Sequence, residues 1–200
     1  MIFINNDLND ALFISHSLFN RNKVTGSTAN MSFIYDNKIY ITGTGTCFGN
    51  LRKEDFSIIS LDGEYLDGAM PSKELKLHKI MYDYWSEVKA IIHTHSFYST
   101  LWSCLEHDNV QDVVPNYTPY LRMKLGNVGI VPYALPGSEN LFDLFHKYVH
   151  LSKGLLLKNH GVIIGGIDLM NSFYIVEELE ESLKIAWNLY NYSKCNKNTI

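Results

Sequence analysis

Val88-Lys89-Ala90-Ile91-Ile92-His93-Thr94-His95-Ser96 is the stretch on which the reading of this chain turns. Val88 to His93 is a β-rich apolar run, and a strand is expected there. Side chains on a strand alternate between its faces, so His93 and His95, two apart, point the same way and can share one ion. Two imidazoles at the end of a strand make half of a metal site, and a third nitrogen or oxygen completes the protein's share of a catalytic one. The pair also fits two structural or surface histidines, because HxH is a short motif.

Working outward, His160 is the best third ligand. It follows the apolar run Gly154-Leu155-Leu156-Leu157-Lys158, so it too ends a strand, and Gly161 behind it is expected to let the backbone turn sharply. His16, His107, His146 and His150 have no apolar strand leading into them and read as surface residues. His78 lies four residues after Glu74, on the same face of a helix, and fits either support for a site or plain helix surface.

Around these residues the pattern alternates between strands and helices. A helix is expected from about Asp7 to Asn20, a hairpin at Ser32–Ile34 and Ile39–Thr42 around Asp36-Asn37, and a strand at Phe56–Leu61 closed by Asp62-Gly63. Ser72 is a candidate N-cap for a helix reaching about Trp85. Further helices are expected at Phe97–Leu105, from Gly137-Ser138 to about Leu151, and from Leu169 to Tyr190, with a strand at Val128–Tyr133 and short apolar runs either side of Asn159-His160-Gly161. This alternation predicts an α/β layered domain.

The 200 residues fit one domain with a substantial core, and 46% hydrophobic with 19% charged residues is ordinary for a globular protein. A net charge of −4 without a basic stripe argues against nucleic acid as a partner. No apolar stretch approaches the roughly 20 residues that span a bilayer, and Met1 to Asp7 carries no secretory pattern, so neither a membrane nor export is expected. Cys47, Cys104 and Cys195 have no short spacing, which argues against disulfides or a thiolate zinc site; the chain reads as cytoplasmic.

Glu74 sits in the first turn of its expected helix. Glutamate there suits the helix dipole, and it also suits a general acid/base within reach of a reacting carbon. Thr25-Gly26-Ser27-Thr28-Ala29-Asn30 and Thr42-Gly43-Thr44-Gly45-Thr46 are turns whose backbone N–H groups and hydroxyls can cradle an anion, and Ser72-Lys73 adds a helix N-terminus and a cation. Neither turn matches a P-loop or GxGxxG before a helix.

Taken in order, Gly26-Ser27-x-x-Asn30-x-Ser32, Thr44-Gly45, Pro71-Ser72-x-Glu74-x-x-x-His78, His93-x-His95-Ser96 and Asn159-His160-Gly161 resemble the class II aldolase/adducin family, over about residues 8 to 190. The resemblance implies a three-layer αβα fold around a largely antiparallel sheet, with residues 1–193 as the catalytic domain and 194–200 as a short frayed tail. It implies a homotetramer with sites between subunits, and zinc or another divalent metal on His93, His95 and His160. Glu74 takes the acid/base position, Asn30, Thr44, Gly45 and Ser72 the phosphate cradle, and Tyr120 that of a site-shaping tyrosine. Lys73 stands where the aldolases usually carry a serine. Thr44 to Leu51, Asp62-Gly63-Glu64-Tyr65-Leu66, Pro71-Ser72-Lys73-Glu74 and Tyr117-Thr118-Pro119-Tyr120 look closer to the branch of 3-oxo-tetronate 4-phosphate decarboxylases, and Val131-Pro132-Tyr133, Pro136-Gly137 and Glu177-Glu178-Leu179-Glu180-Glu181 also fit it. That branch implies loss of carbon dioxide from a phosphorylated four-carbon sugar acid, through a metal-held enediolate, to give dihydroxyacetone phosphate. A fuculose-1-phosphate-like retro-aldol cleavage uses the same site, and a non-catalytic adducin-type module is the third alternative.

Overall fold

A computed structural model describes the backbone of residues 2–197 and the side chains of residues 4–192. Its strands are β1 Asn30–Tyr35, β2 Lys38–Thr42, β3 Phe56–Ser60, β4 Tyr65–Gly68, β5 Ala90–Thr94, β6 Gly129–Val131, β7 Gly154–Leu157 and β8 Gly161–Gly166. They form one sheet in the order β4-β3-β2-β1-β5-β8-β7-β6, antiparallel at every join except β6 with β7. The helices are α1 Ile2–Asn20, α2 Leu75–Tyr84, α3 Phe97–Ser103, α4 Tyr120–Lys124, α5 Glu139–Tyr148 and α6 Leu169–Lys197.

The alternation of strand side chains divides the core in two. Met31 and Phe33 of β1, and Ala90 and Ile92 of β5, pack with Ala11, Ile14 and Leu18 of α1 and with Val176, Leu179 and Leu183 of α6. Ile39 and Ile41 of β2, and Ile91 of β5, pack on the other side with Leu77 and Met81 of α2 and Phe142 and Phe145 of α5. A sheet buried on both faces by helices is the αβα layering that the motifs imply. Among the described residues, no helix is long and apolar enough to cross a membrane.

Several boundaries differ from the pattern. The whole of β4 is exposed, so no apolar alternation marks it. The five-residue α4 buries only Leu121, too little to show a period. α6 runs past Tyr190 to Lys197; of the tail expected at 194–200, the backbone of 198–200 and all the side chains lie outside the described residues. Ser138 caps α5, its hydroxyl accepting the Leu141 N–H. Ser72 does not cap α2: Glu74 holds the cap position, and the Ser72 hydroxyl accepts the Glu74 N–H at 3.3 Å, just ahead of the helix.

The register places the site. Asn30 at the start of β1 faces His93 on β5, and His93 faces Ile163 on β8. The end of β5, the start of β1 and the β7–β8 turn therefore meet at one rim of the sheet, with the start of α2 beside them.

Candidate active site

Three imidazoles converge at that rim. Ring centroids lie 5.0 Å apart for His93 and His95, 5.0 Å for His93 and His160, and 4.6 Å for His95 and His160. One nitrogen from each falls within 4.8 Å of the others. His93 Nδ1 donates to the Val162 carbonyl at 2.9 Å, so a neutral His93 turns the lone pair of Nε2 toward the His95 Nε2, 3.0 Å away. Both His160 nitrogens are buried with no hydrogen-bond partner. Converging lone pairs and orphaned ring nitrogens are costly unless something bridges them, and a divalent cation with an affinity for imidazole fits that donor set.

The backbone explains how His160 arrives. Asn159 adopts φ +57°, and it is this residue, not Gly161, that takes the left-handed turn between β7 and β8. Gly161 is required for another reason: a Cβ there would lie 2.4 Å from the Thr94 carbonyl oxygen and 2.9 Å from His95 Cδ2. β8 approaches β5 closely enough to seat His160 against His95 only because that side chain is missing.

On the far side of His95, the next turn is anchored from α6. Glu180, 1% exposed, accepts hydrogen bonds from Ser96 Oγ at 2.9 Å, from Ser99 N and Oγ at 2.7 and 2.6 Å, and from the Tyr98 N–H at 3.3 Å. These hold the start of α3 directly behind the ligand.

Burial lowers the pKa of all three histidines, the His93 and His160 imidazoles to about 3, with repulsion from His95 and His93 respectively adding to it. Neutral imidazole is the form that binds metal. Burial also takes His78 to about 3. The unfolded chain protonates its histidines near 6.5 while in the metal-free fold His78, His93 and His160 resist until about 3, so the unfolded state binds more protons in between. Stability of the metal-free protein is thus complete above pH 6.5 and falls as pH drops toward 3, by about 1.4 kcal/mol per pH unit for each proton difference. Denaturant unfolding at several pH values measures this; a flat profile from pH 6.5 to 4 would show that the imidazoles are already charged in the fold.

Glu74 reaches over the cluster from the start of α2. Its Oε2 is 3.2 Å from His93 Nε2 and its Oε1 3.4 Å from His160 Nε2. Asn30 Nδ2 donates to Glu74 Oε2 at 2.9 Å, and Asn30 Oδ1 accepts from His78 Nε2 at 2.6 Å. Both ends of the Asn30 amide are thus engaged, linking Glu74 to His78, and the amide has a second Nδ2–H beyond the one given to Glu74 in the cleft that it lines.

A cleft of about 220 Å³ opens beside Glu74, lined by Asn30, Gly43, Thr44, Gly45, Ser72, Lys73, His95, Gly137 and His160, with Ser27 and Thr28 at its edge. The Thr44 N–H is spent on the Met70 carbonyl, so Thr44 offers its hydroxyl. Gly45 has φ +73° with nothing within 4 Å of a Cβ position, leaving open space over the turn. Lys73 is exposed on the cleft wall and forms no ion pair among the described residues.

Residues 10–187 match the family described as the class II aldolase and adducin N-terminal domain. The chain belongs to that family. It is 41% identical to a 3-oxo-tetronate 4-phosphate decarboxylase from Pectobacterium atrosepticum, over 86% of this chain and 80% of that protein. It is 34% identical to an L-fuculose phosphate aldolase from Methanococcus maripaludis, over 92% of this chain and 98% of that one. The crystal structure of YgbL from Escherichia coli superposes with a TM-score of 0.87 at 35% identity, covering 90% of this chain and 88% of that chain.

Within this class II aldolase fold, one expected site residue stays apart. Tyr120 begins α4, is 58% exposed, and does not line the cleft of its own chain. Two residues lie in stretches that fit the decarboxylase branch but have no site role in the sequence reading. Gly137 reaches the cleft just ahead of α5. Glu180 anchors the His95 turn, and its one sequence signal is an acid one residue after Leu179 and three before Leu183, where the helix is turned to the core.

Proposed function

We propose that this protein is a divalent-metal-dependent lyase that decarboxylates a 3-oxo-tetronate 4-phosphate to dihydroxyacetone phosphate and carbon dioxide. The observation that carries the reading is the Glu74 carboxylate suspended over three metal-competent imidazoles, at the mouth of a cleft whose wall bears an unpaired Lys73. The relatives named as 3-oxo-tetronate 4-phosphate decarboxylases support the choice of substrate.

His93, His95 and His160 would hold the cation, zinc being the first candidate. When bound, it supplies Lewis acidity where negative charge develops, worth several kcal/mol at a transition state. The phosphate lies against the Thr44 hydroxyl, the open turn at Gly45 and Ser72, with Asn30 behind them holding Glu74. The substrate's C1–C2 bond breaks and its electron pair enters the C2–C3 bond as an enediolate while carbon dioxide leaves. Glu74 then delivers a proton to C2, giving dihydroxyacetone phosphate, and regains one from solvent. In a homotetramer with sites between subunits, the exposed Tyr120 has a route to a neighbour's cleft. A cytoplasmic setting suits a phosphorylated substrate.

Retro-aldol cleavage of a ketose 1-phosphate generates the same enediolate and is the second reading, favoured by the near full-length match to L-fuculose phosphate aldolase. An adducin-type interaction module has no need of three converging imidazoles. Carbon dioxide release from 3-oxo-tetronate 4-phosphates, run beside aldehyde release from ketose 1-phosphates, separates the three; faster aldol cleavage overturns the decarboxylase reading.

Lys73 offers the phosphate a cation in either chemistry. Its charge at the start of α2 opposes the helix dipole unless an anion sits nearby. Firm contact with the departing carboxylate would stabilise the ground state, so the phosphate is its better partner. Lys73→Ser should raise KM for the sugar-acid phosphate several-fold, by about 1 kcal/mol as for a partly exposed ion pair, with kcat nearly kept. Unchanged KM would leave Lys73 a solvated surface residue.

A further inference from the structure

Behind Glu74 lies a row of polar groups for which the chemistry above has no use. Glu74, His78 and Tyr82 stand four residues apart in sequence along one stripe that runs from the cap of α2 to its last turn, and Asn30 and Ser32 stand two apart on one face of β1. The two stripes interlock. Asn30 joins Glu74 at 2.9 Å, His78 Nε2 joins Asn30 Oδ1 at 2.6 Å, Ser32 Oγ joins His78 Nδ1 at 2.7 Å, and Tyr82 joins Ser32 Oγ at 2.7 Å. Asn30, Ser32, His78 and Tyr82 are all buried. Leu77 and Met81, their neighbours on α2, are packed in the apolar core. Apolar residues would fill the space between α2 and β1 at no desolvation cost, so stability alone does not account for a polar row here.

Donor and acceptor chemistry gives the row one direction. Glu74 Oε2 accepts whether the group is ionised or carries its proton on Oε1, so the Asn30 end facing it is the NH₂. Its carbonyl then needs a donor, which must be His78 Nε2–H. A neutral imidazole carries one proton, so His78 Nδ1 accepts from the Ser32 hydroxyl, and Ser32 oxygen accepts from Tyr82 O–H. We propose that His78, Ser32 and Tyr82 are positioning residues that lock the Asn30 amide with its N–H toward Glu74 Oε2, leaving Oε1 free for proton transfer. This rests on Glu74 being the acid/base group. His78 is held neutral by burial, as the direction requires.

The test uses the zinc-loaded protein. With isotope-labelled histidine, nuclear magnetic resonance should find His78 protonated on Nε2 and bare on Nδ1. An Nδ1–H tautomer reverses the chain, turns the Asn30 carbonyl on Glu74, and overturns the proposal without any substrate. Kinetics then ask what the chain does. His78→Leu keeps bulk and breaks the row; kcat should fall about 10- to 100-fold, as for other groups that orient a catalytic residue, with KM held within about two-fold. His78→Gln, whose amide can donate to Asn30 and accept from Ser32, should recover most of kcat. Tyr82→Phe removes only the last link and should cost a few-fold in kcat. Equal impairment of the Leu and Gln variants, or a change in KM alone, would mark His78 as ordinary core. If His78→Leu does not fold, the tautomer with the Gln and Tyr82→Phe kinetics decides. Rates are taken with whichever substrate the wild type turns over, so an error in the substrate does not touch this result.

Discussion

Glu74→Gln should leave a folded, metal-loaded protein with kcat reduced on the order of 10²–10⁴-fold, the usual contribution of a positioned acid or base. The amide is nearly the shape of the carboxyl, and its oxygen can still accept from Asn30 Nδ2, so the local packing persists. The three imidazoles that would hold the cation are untouched. What the variant lacks is a group able to give and retake a proton next to the imidazoles. Bound-metal analysis alongside turnover separates the possible failures: full metal with lost turnover assigns the proton to Glu74, and lost metal makes the carboxylate a ligand first. Near-normal turnover would move the proton transfer to another group, with Tyr120 the first to examine.

The second large effect comes from the cation. Chelation, or His160→Ala, should take turnover to background, and adding back zinc or another divalent ion should restore the chelated wild type but not the variant. Neither buried ring nitrogen of His160 makes a hydrogen bond, and a metal on one of them would offset part of the cost of that burial. Binding should also stabilise the fold by RT ln(1 + [L]/Kd), about 2.7 kcal/mol at a hundredfold excess over Kd, seen as a concentration-dependent rise in Tm. A chelated protein at full activity would remove the metal from the chemistry and leave the histidines a structural cluster.

Much of this site was legible from local pattern. His93, His95 and His160 each close an apolar run, and a run that ends in a histidine marks the rim of a sheet. His78 was ambiguous for a physical reason. Spacing from Glu74 puts it on the right stripe of α2 but says nothing of what covers that stripe, and only the pairing of β1 against α2 shows it buried between Asn30 and Ser32. Gly161 was legible as essential but for the wrong cause, since close approach of two strands leaves no trace in sequence separate from a turn. Glu180 lies 84 residues from the Ser96 it holds, beyond any local signal. Tyr120 shows the limit of motif matching within one chain: the motif says nothing of exposure, and the fold sets Tyr120 on an exposed helix start.

The closeness of β1, β5 and β8 also governs the order in which the molecule can form. His93 meets Val162 across a sequence gap of 69 residues, and Asn30 meets Glu74 across 44. Such long loops must close before the cleft exists, which makes folding slow compared with a helical bundle of the same length. A nascent chain offers an ion only the short His93-Thr94-His95 segment, because His160 joins only when β8 docks on β5. The full three-histidine set therefore exists only once β8 has docked on β5, late in the assembly of the sheet. Interactions absent from the transition state slow unfolding and leave the folding rate alone. Cation supply would accordingly set how long a finished molecule lasts, not how fast new ones are made.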